Sequence, residues 1–257
     1  MEVNYLYFLH FLDENFSKDK CFSLDYGCGN GDFISYANNE GYRFRGVDNY
    51  FFTSNIIEDQ NSPAKEYIDI IDNTGVLPFN DKTFDFITNI QVFEHVENLE
   101  TVLKEINRVL KDNGKMLCSF PFKFSYRENH YGIPFSHWFK PSGKIRKLWV
   151  LIFYKLGFGS DRNENLQYDE WYKIAFGFID KFCFYRTRGE FFASCNRAGF
   201  TVHSRDKERL LFRLKHSKGQ FSKMLGAIIN VIPNWIILFL LQGRGSACLE
   251  LIKTKPK

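Results

Sequence analysis

Residues 22–33, Phe-Ser-Leu-Asp-Tyr-Gly-Cys-Gly-Asn-Gly-Asp-Phe, constrain this chain more than any other stretch. Apolar and small residues run into Asp25, after which Gly27, Gly29 and Gly31 alternate. The pattern predicts a buried strand ending in a tight turn that opens a helix. Glycine suits such a turn because it tolerates positive φ and, lacking Cβ, lets a ligand lie against the backbone. The spacing is GxGxG, not the GxGxxG of dinucleotide sites, and an acid precedes it. A carboxylate beside the loop disfavours a pyrophosphate and suits a cationic ammonium group. The loop therefore points to S-adenosylmethionine before NAD, with Asp25, Gly27, Cys28, Gly29 and Gly31 on the cofactor side.

About one helix later, Tyr42 to Asp48 reads as a second short strand ending in an acid. This is the βαβ distance at which Asp or Glu holds two ribose hydroxyls, so Asp48, with Asn49 beside it, joins the site. A third block runs from Asp72 through Leu77-Pro-Phe79 and Phe84-Asp85 to Glu94-His95. Taken together, the acid–glycine loop, Asp48, Leu77-Pro-Phe79, Phe84-Asp85 and Glu94-His95 resemble the class I S-adenosylmethionine-dependent methyltransferases, the type 11 group in particular. The resemblance covers residues 20–120. It implies a doubly wound, seven-stranded, mostly parallel α/β sheet (a Rossmann-like methyltransferase fold) with S-adenosylmethionine as cofactor. It also implies a short acid or amide accepting from the adenine amino group, and spacing leaves Asp72 and Asn73 both open for that role. Asn89 and Gln91 fall at the carboxyl end of the fourth strand, where open α/β sheets bind ligands.

In order, a helix is expected over residues 3–16, strands over 21–26, 43–48, 67–71, 84–89 and 115–121, and a helix over 30–40. His10 in the first helix reads as a packing or surface residue. Leu99, Val102, Leu103, Ile106, Val109 and Leu110 recur at helical spacing, which predicts an amphipathic helix capped at Asn113-Gly114. Beyond Pro121 the resemblance implies a helix at 187–200 and last strands at 201–205 and 246–254. The chain then reads as a single domain, 1–257, with an α-rich cap insertion at 122–186 over the acceptor site and a helical insertion at 207–242.

Acceptor chemistry is less constrained. The candidate bases are His95, His130, Tyr131 and His137, and histidine suits a base near neutral pH. His130 and His137 lie with Glu128 and several aromatics in one loop after the fifth strand. The six cysteines show no CxxC pair or zinc-ligand spacing, so buried reduced thiols in a cytoplasmic protein are expected and no metal. Residues 1–20 carry no basic leader of a secretory signal. A net charge of +4 on 257 residues does not argue for nucleic acid. Basic residues precede apolar runs at 148–154 and 224–241. The second run is interrupted by Asn230, Pro233 and Asn234, so it reads as a helical hairpin or cap helix burying apolar surface, or as a peripheral contact with an anionic membrane. The resemblance beyond the fifth strand, to methyltransferases of bacterial surface-polysaccharide clusters, favours a sugar, glycan or other small-molecule hydroxyl as acceptor. A catalytically silent scaffold of the same fold and a nicotinamide-dependent oxidoreductase are the competing readings; the glycine spacing opposes the second.

Overall fold

A computed structural model describes residues 3–49, 65–72, 74–162, 166–217, 219–241, 243 and 245–254. The expected Asn73 lies outside the described residues. Seven strands form one sheet: β1 (Ser23–Tyr26), β2 (Phe44–Asp48), β3 (Ile68–Ile70), β4 (Phe84–Ile90), β5 (Leu110–Pro121), β6 (Phe200–Ser204) and β7 (Ser246–Lys253). The spatial order is β3-β2-β1-β4-β5-β7-β6. The first five strands pair in parallel, while β7 runs antiparallel to both β5 and β6. Order reverses at β1, with β2 on one side and β4 on the other. In an open α/β sheet the crevice at such a point is where ligands bind.

Helices cover both faces. On one, α3 (Leu99–Val109) and α6 (Arg188–Arg197) pack Leu103, Ile106 and Phe191 onto Ile87, Met116 and Leu249. On the other, α1 (Val3–Asn15) and α2 (Asp32–Asn39) pack Phe8, Leu12 and Ile34 onto Phe86, Leu117 and Cys248. The expected stripe of α3 is buried in full, because residues three and four apart share a helix face. Thr187 and Glu190 close a reciprocal capping box at the start of α6, which a T-x-x-E sequence provides.

The expected helix cap at Asn113-Gly114 is corrected: α3 ends at Val109 and Leu110 already pairs with Phe84. The next pairing is Phe86 with Lys115, so residues 111–114 bulge opposite Asp85. Gly114 is needed there, since a Cβ would stand 3.0 Å from the Asp85 carbonyl and 2.7 Å from Leu110. Lys111 donates from the same bulge to both Asp85 carboxylate oxygens at 2.8 Å.

Between β5 and α6 lie α4 (Lys144–Lys155) and α5 (Tyr168–Phe182), with their own aromatic core of Ile133, Val150, Trp171, Phe176 and Ile179. Buried Arg146 on α4 donates two 2.6 Å hydrogen bonds to Asp180 on α5, fixing the two helices together. Between β6 and β7 lie α7 (Asp206–Lys215), α8 (Gln220–Val231) and α9 (Asn234–Leu241). The run expected as a hairpin or cap helix forms α8 and α9, broken at Ile232-Pro233, and both pack on α7. The expected burial of its apolar surface holds only in part: Ile229 and Ile237 are buried, whereas Phe221, Met224, Ile228, Val231 and Trp235 are exposed.

Candidate functional site

A cleft of about 770 Å³ opens at the carboxyl ends of β1, β2, β3 and β4. Its floor and one wall come from Gly27, Asp48, Asn49, Asp72 and Gln91, each at or just beyond a strand end. The other wall is His95 with Val92 and Val96, joined by Lys181, Phe182 and Phe184 from the end of the cap. The volume falls within the roughly 300–1,000 Å³ of small-molecule sites.

The glycine loop takes its shape from close approach. Gly27 has φ +78°, and a Cβ there would lie 2.3 Å from Val92 Cγ2. Gly29 and Gly31 also have positive φ; a Cβ at exposed Gly29 would meet nothing within 4 Å, and neither residue lines the cleft. The Gly29 amide donates to Asp48 Oδ2 at 2.8 Å, so the acid ending β2 braces the loop that follows β1. Asp72 sits at the far end of the cleft, its carboxylate accepting from the amide and hydroxyl of Thr74, which holds its pKa below the usual value.

Asp25 lies beneath the loop and does not reach the cleft wall: it is buried, with Oδ1 accepting from Thr88 Oγ1 at 2.6 Å. Burial raises its pKa to about 7, against the Thr88 hydrogen bond, and the Asp48 charge adds to the rise. Cys28 turns away from the cleft, and burial keeps its thiol protonated. Asn89 is also absent from the cleft wall; it is fully buried in β4 and donates to the Tyr26 carbonyl at 3.2 Å. β4 is buried on both faces, so alternation along it does not reveal which side chains point to ligand. Gln91, with φ +59°, turns back and donates to the Ser119 carbonyl and the Ser246 hydroxyl.

The three histidines separate. His95 lines the cleft; its Nδ1 lies 2.8 Å from the Phe182 carbonyl, which can only accept, so Nδ1 carries hydrogen and Nε2 is the acceptor of the neutral ring. His130 stands behind it, Nε2 to Nε2 at 3.3 Å. His130 Nδ1 lies 2.7 Å from Glu128 Oε1, and fully buried Glu128 also accepts from Tyr185 Oη and from the amides of His130 and Tyr131. Burial alone would lower the His130 pKa, but the hydrogen bond and charge of Glu128 outweigh it and the pKa is raised. Burial lowers that of His95, with the His130 charge contributing. His137 is brought to neither: it lies against Tyr185 with Nε2 3.2 Å from Ser125 Oγ, and burial pushes its pKa down to about 4.

Glu128 stands two residues before His130 in the loop already noted, whereas Tyr185 and Cys183 are brought to it by the fold across up to 88 residues, and nothing in their local sequence marks them. Cys183 Sγ lies 3.8 Å from His95 Nδ1, and His95, His130 and Cys183 place a ligand atom each within 4.8 Å of one another. Such a set is not visible in sequence spacing. Buried Glu94 adds a carboxyl raised to about 7 by burial, with Oε2 unpartnered among the described residues.

Residues 24–118 match the family model of a methyltransferase domain. Fold, loop and match define a class I S-adenosylmethionine-dependent methyltransferase domain, whose cofactor is S-adenosylmethionine. The side-chain-free Gly27 in the cleft wall, the brace at Asp48 and the polar end at Asp72 fit that cofactor. Among curated proteins, the chain is similar to a demethylmenaquinone methyltransferase of Bacillus licheniformis, 32% identical over 118 residues, 42% of this chain and 50% of that protein. The chain thus spans about half the length of the curated relatives it matches. Among solved structures, it resembles the YcgJ protein of Bacillus subtilis (TM-score 0.53, 14% identity, 99% of this chain and 100% of that one). A second neighbour is an S-adenosylmethionine-dependent methyltransferase of Mesorhizobium loti (TM-score 0.52, 13% identity, 94% and 95%). At these identities the structures speak for the fold.

Proposed function

We propose that the protein transfers a methyl group from S-adenosylmethionine to a hydroxyl oxygen of a small-molecule acceptor, a sugar or glycan hydroxyl foremost, with His95 and His130 handling the proton. The observation that carries this reading is the His95–His130–Glu128 chain, which begins at the cleft wall and ends in a buried carboxylate. Asp48 and Asp72 would hold the ribose and adenine ends of the cofactor, and Gly27 and Gly29 would let its methionine part lie along the loop. Bound there, S-adenosylmethionine supplies an activated methyl group and leaves as the neutral thioether. The hydroxyl's proton then needs an acceptor, since the new oxygen–carbon bond would otherwise leave a positive oxygen. In the neutral pair both Nε2 atoms present lone pairs, and an incoming proton is shared between rings whose cation Glu128 stabilises. His95 lies within the family match, whereas His130 and Glu128 come from the cap beyond its end.

The test is a labelled-methyl assay on sugars, nucleotide-sugars, lipid-linked glycans and demethylmenaquinone, the substrate in the Bacillus relative's name. His130→Gln should lower turnover by about 10²–10⁴-fold and leave cofactor affinity within about twofold. Asp48→Ala should weaken cofactor binding by about 1–3 kcal/mol in a calorimetric titration. Because the His130 pKa is raised, the pair is proton-loaded at low pH, and the rate should climb with pH through an inflection above the ordinary histidine value of 6.5. Unchanged turnover in His130→Gln would remove the relay. A second reading, favoured by the position of Cys183, places a metal ion among His95, His130 and Cys183. Activity abolished by a chelator and restored by one metal would select it over the shared proton.

A further inference from the structure

The outer faces of α8 and α4 run against the rule that an amphipathic helix turns its apolar side inward. On α8, Phe221, Met224, Ile228 and Val231 are all exposed and fall within an arc of about 80° at 3.6 residues per turn. Trp235, 71% exposed, continues the patch at the start of α9. On α4, Ile145, Leu148, Ile152 and Leu156 form an equivalent exposed stripe. The segment after α9 is joined to α4 through the Tyr126 amide, which donates to the Gly243 carbonyl, and through Tyr126 packed on Phe135 and Phe135 on Trp149 of α4.

Charge identifies what covers these stripes. No acid occurs between Glu128 and Asp161, or between Glu208 and Glu250, yet the first segment carries Lys140, Lys144 and Lys155 and the second Arg213, Lys215 and Lys223, all six exposed. Lys207 is otherwise engaged, donating to the Asn230 and Ile232 carbonyls at the end of α8. A second copy of the chain seated on either stripe by a two-fold axis would set like charges against each other. An anionic bilayer accepts both features at once, apolar side chains into the acyl boundary and cations among the headgroups. No helix among the described residues is long and apolar enough to cross a membrane, so the contact is one of lying on the surface.

The geometry points to a peripheral docking surface for anionic lipid, made by the outer faces of α8, the start of α9 and α4. It lies next to the cleft: five residues beyond α9, Ser246 accepts hydrogen bonds from cleft-lining Gln91 and from Asn129 of the cap. The inference does not depend on which acceptor is methylated.

Flotation with phosphatidylcholine vesicles, alone or mixed equally with phosphatidylglycerol, tests it on the full chain. The protein should float with the mixed vesicles only, and about 0.5 M salt should release much of it by screening. The triple variant Arg213→Gln, Lys215→Gln, Lys223→Gln should bind about a hundredfold more weakly, at roughly 1 kcal/mol per cation. Phe221→Ser with Trp235→Ser, and separately Ile145→Ser with Leu148→Ser, should each weaken binding at least about tenfold while keeping the wild-type melting temperature and cofactor affinity. Binding indifferent to lipid charge, or undiminished in the Phe221–Trp235 variant, overturns the inference. So does a chain that ignores vesicles and stays monomeric. A chain that ignores vesicles but forms a dimer dispersed by the same variant overturns it in favour of a second copy. Cofactor titration of the same samples reports separately on the methyltransferase reading.

Discussion

At Gly27 a single methyl group meets two obstacles. An L-residue in the left-handed region costs about 1–2 kcal/mol, and forcing Cβ to within 2.3 Å of Val92 Cγ2 adds an overpacking cost of about 1–3 kcal/mol. Gly27→Ala should therefore lose about 3 kcal/mol in urea unfolding and bind cofactor poorly. Adding Val92→Ala should return the packing part and leave the backbone part; a double variant no better than the single would show that Val92 yields freely. Of the expected residues that line the cleft, Gly27, Asp48, Asn49, Asp72 and Gln91 sit at or just beyond strand ends, where the chain's own order dictates position, and His95 follows in the turn after β4. Asn89 lies away from the cleft wall, which a strand buried on both faces, carrying no alternation to read, does not reveal. Glu128 stands beside His130 in the sequence, but Tyr185 was illegible as its partner because only the folded chain brings it to His130 across 55 residues.

At the scale of elements, Arg186 fastens the cap to the sheet domain. Its guanidinium, mostly buried, donates to the carbonyls of Phe93, Val96 and Glu97 around His95 and to that of Phe184 in the segment between α5 and α6. Arg186→Met should leave those carbonyls unpaired and cost about 1.5–3 kcal/mol, with turnover falling more than cofactor affinity. An unchanged melting temperature would mean that water replaces the guanidinium fully. The sheet elements were legible because strand, helix and glycine turn each carry a local period or breaker, as the buried stripe of α3 shows. The bulge at residues 111–114 was not, since Asn-Gly after an apolar stripe reads equally as a helix cap until Leu110 is seen to pair with Phe84. For α8 the period was legible but not its direction: an exposed apolar stripe and a buried one have the same sequence.

For the molecule as a whole, buried ionisable groups set the pH at which it is most stable. Asp25 and Glu94 have folded pKa values raised to about 7 by burial, so the folded state binds their protons more tightly than the unfolded state. Each therefore stabilises the fold as pH falls below about 7, a gain complete below its unfolded value near 4. His137 acts oppositely: its folded pKa of about 4 lies below the ordinary 6.5, so its contribution is present above 6.5 and is lost as pH falls toward 4. His130, with a raised pKa, adds stability below 6.5 that is lost as pH rises through its folded value. Between about pH 8 and pH 5.5 Asp25, Glu94 and His130 gain while His137 and His95, whose pKa burial also lowers, lose, so the cofactor-free protein should be more stable at the acidic end by on the order of 1 kcal/mol. Urea unfolding at both pH values checks this, and equal midpoints or a higher one at pH 8 would refute it. Asp25→Asn removes the largest rising contribution; it should flatten the profile and make the cofactor-free chain more stable than wild type at pH 8. The same variant should bind the cationic cofactor less tightly, because the buried carboxylate that destabilises the empty fold is the charge held beneath the glycine loop.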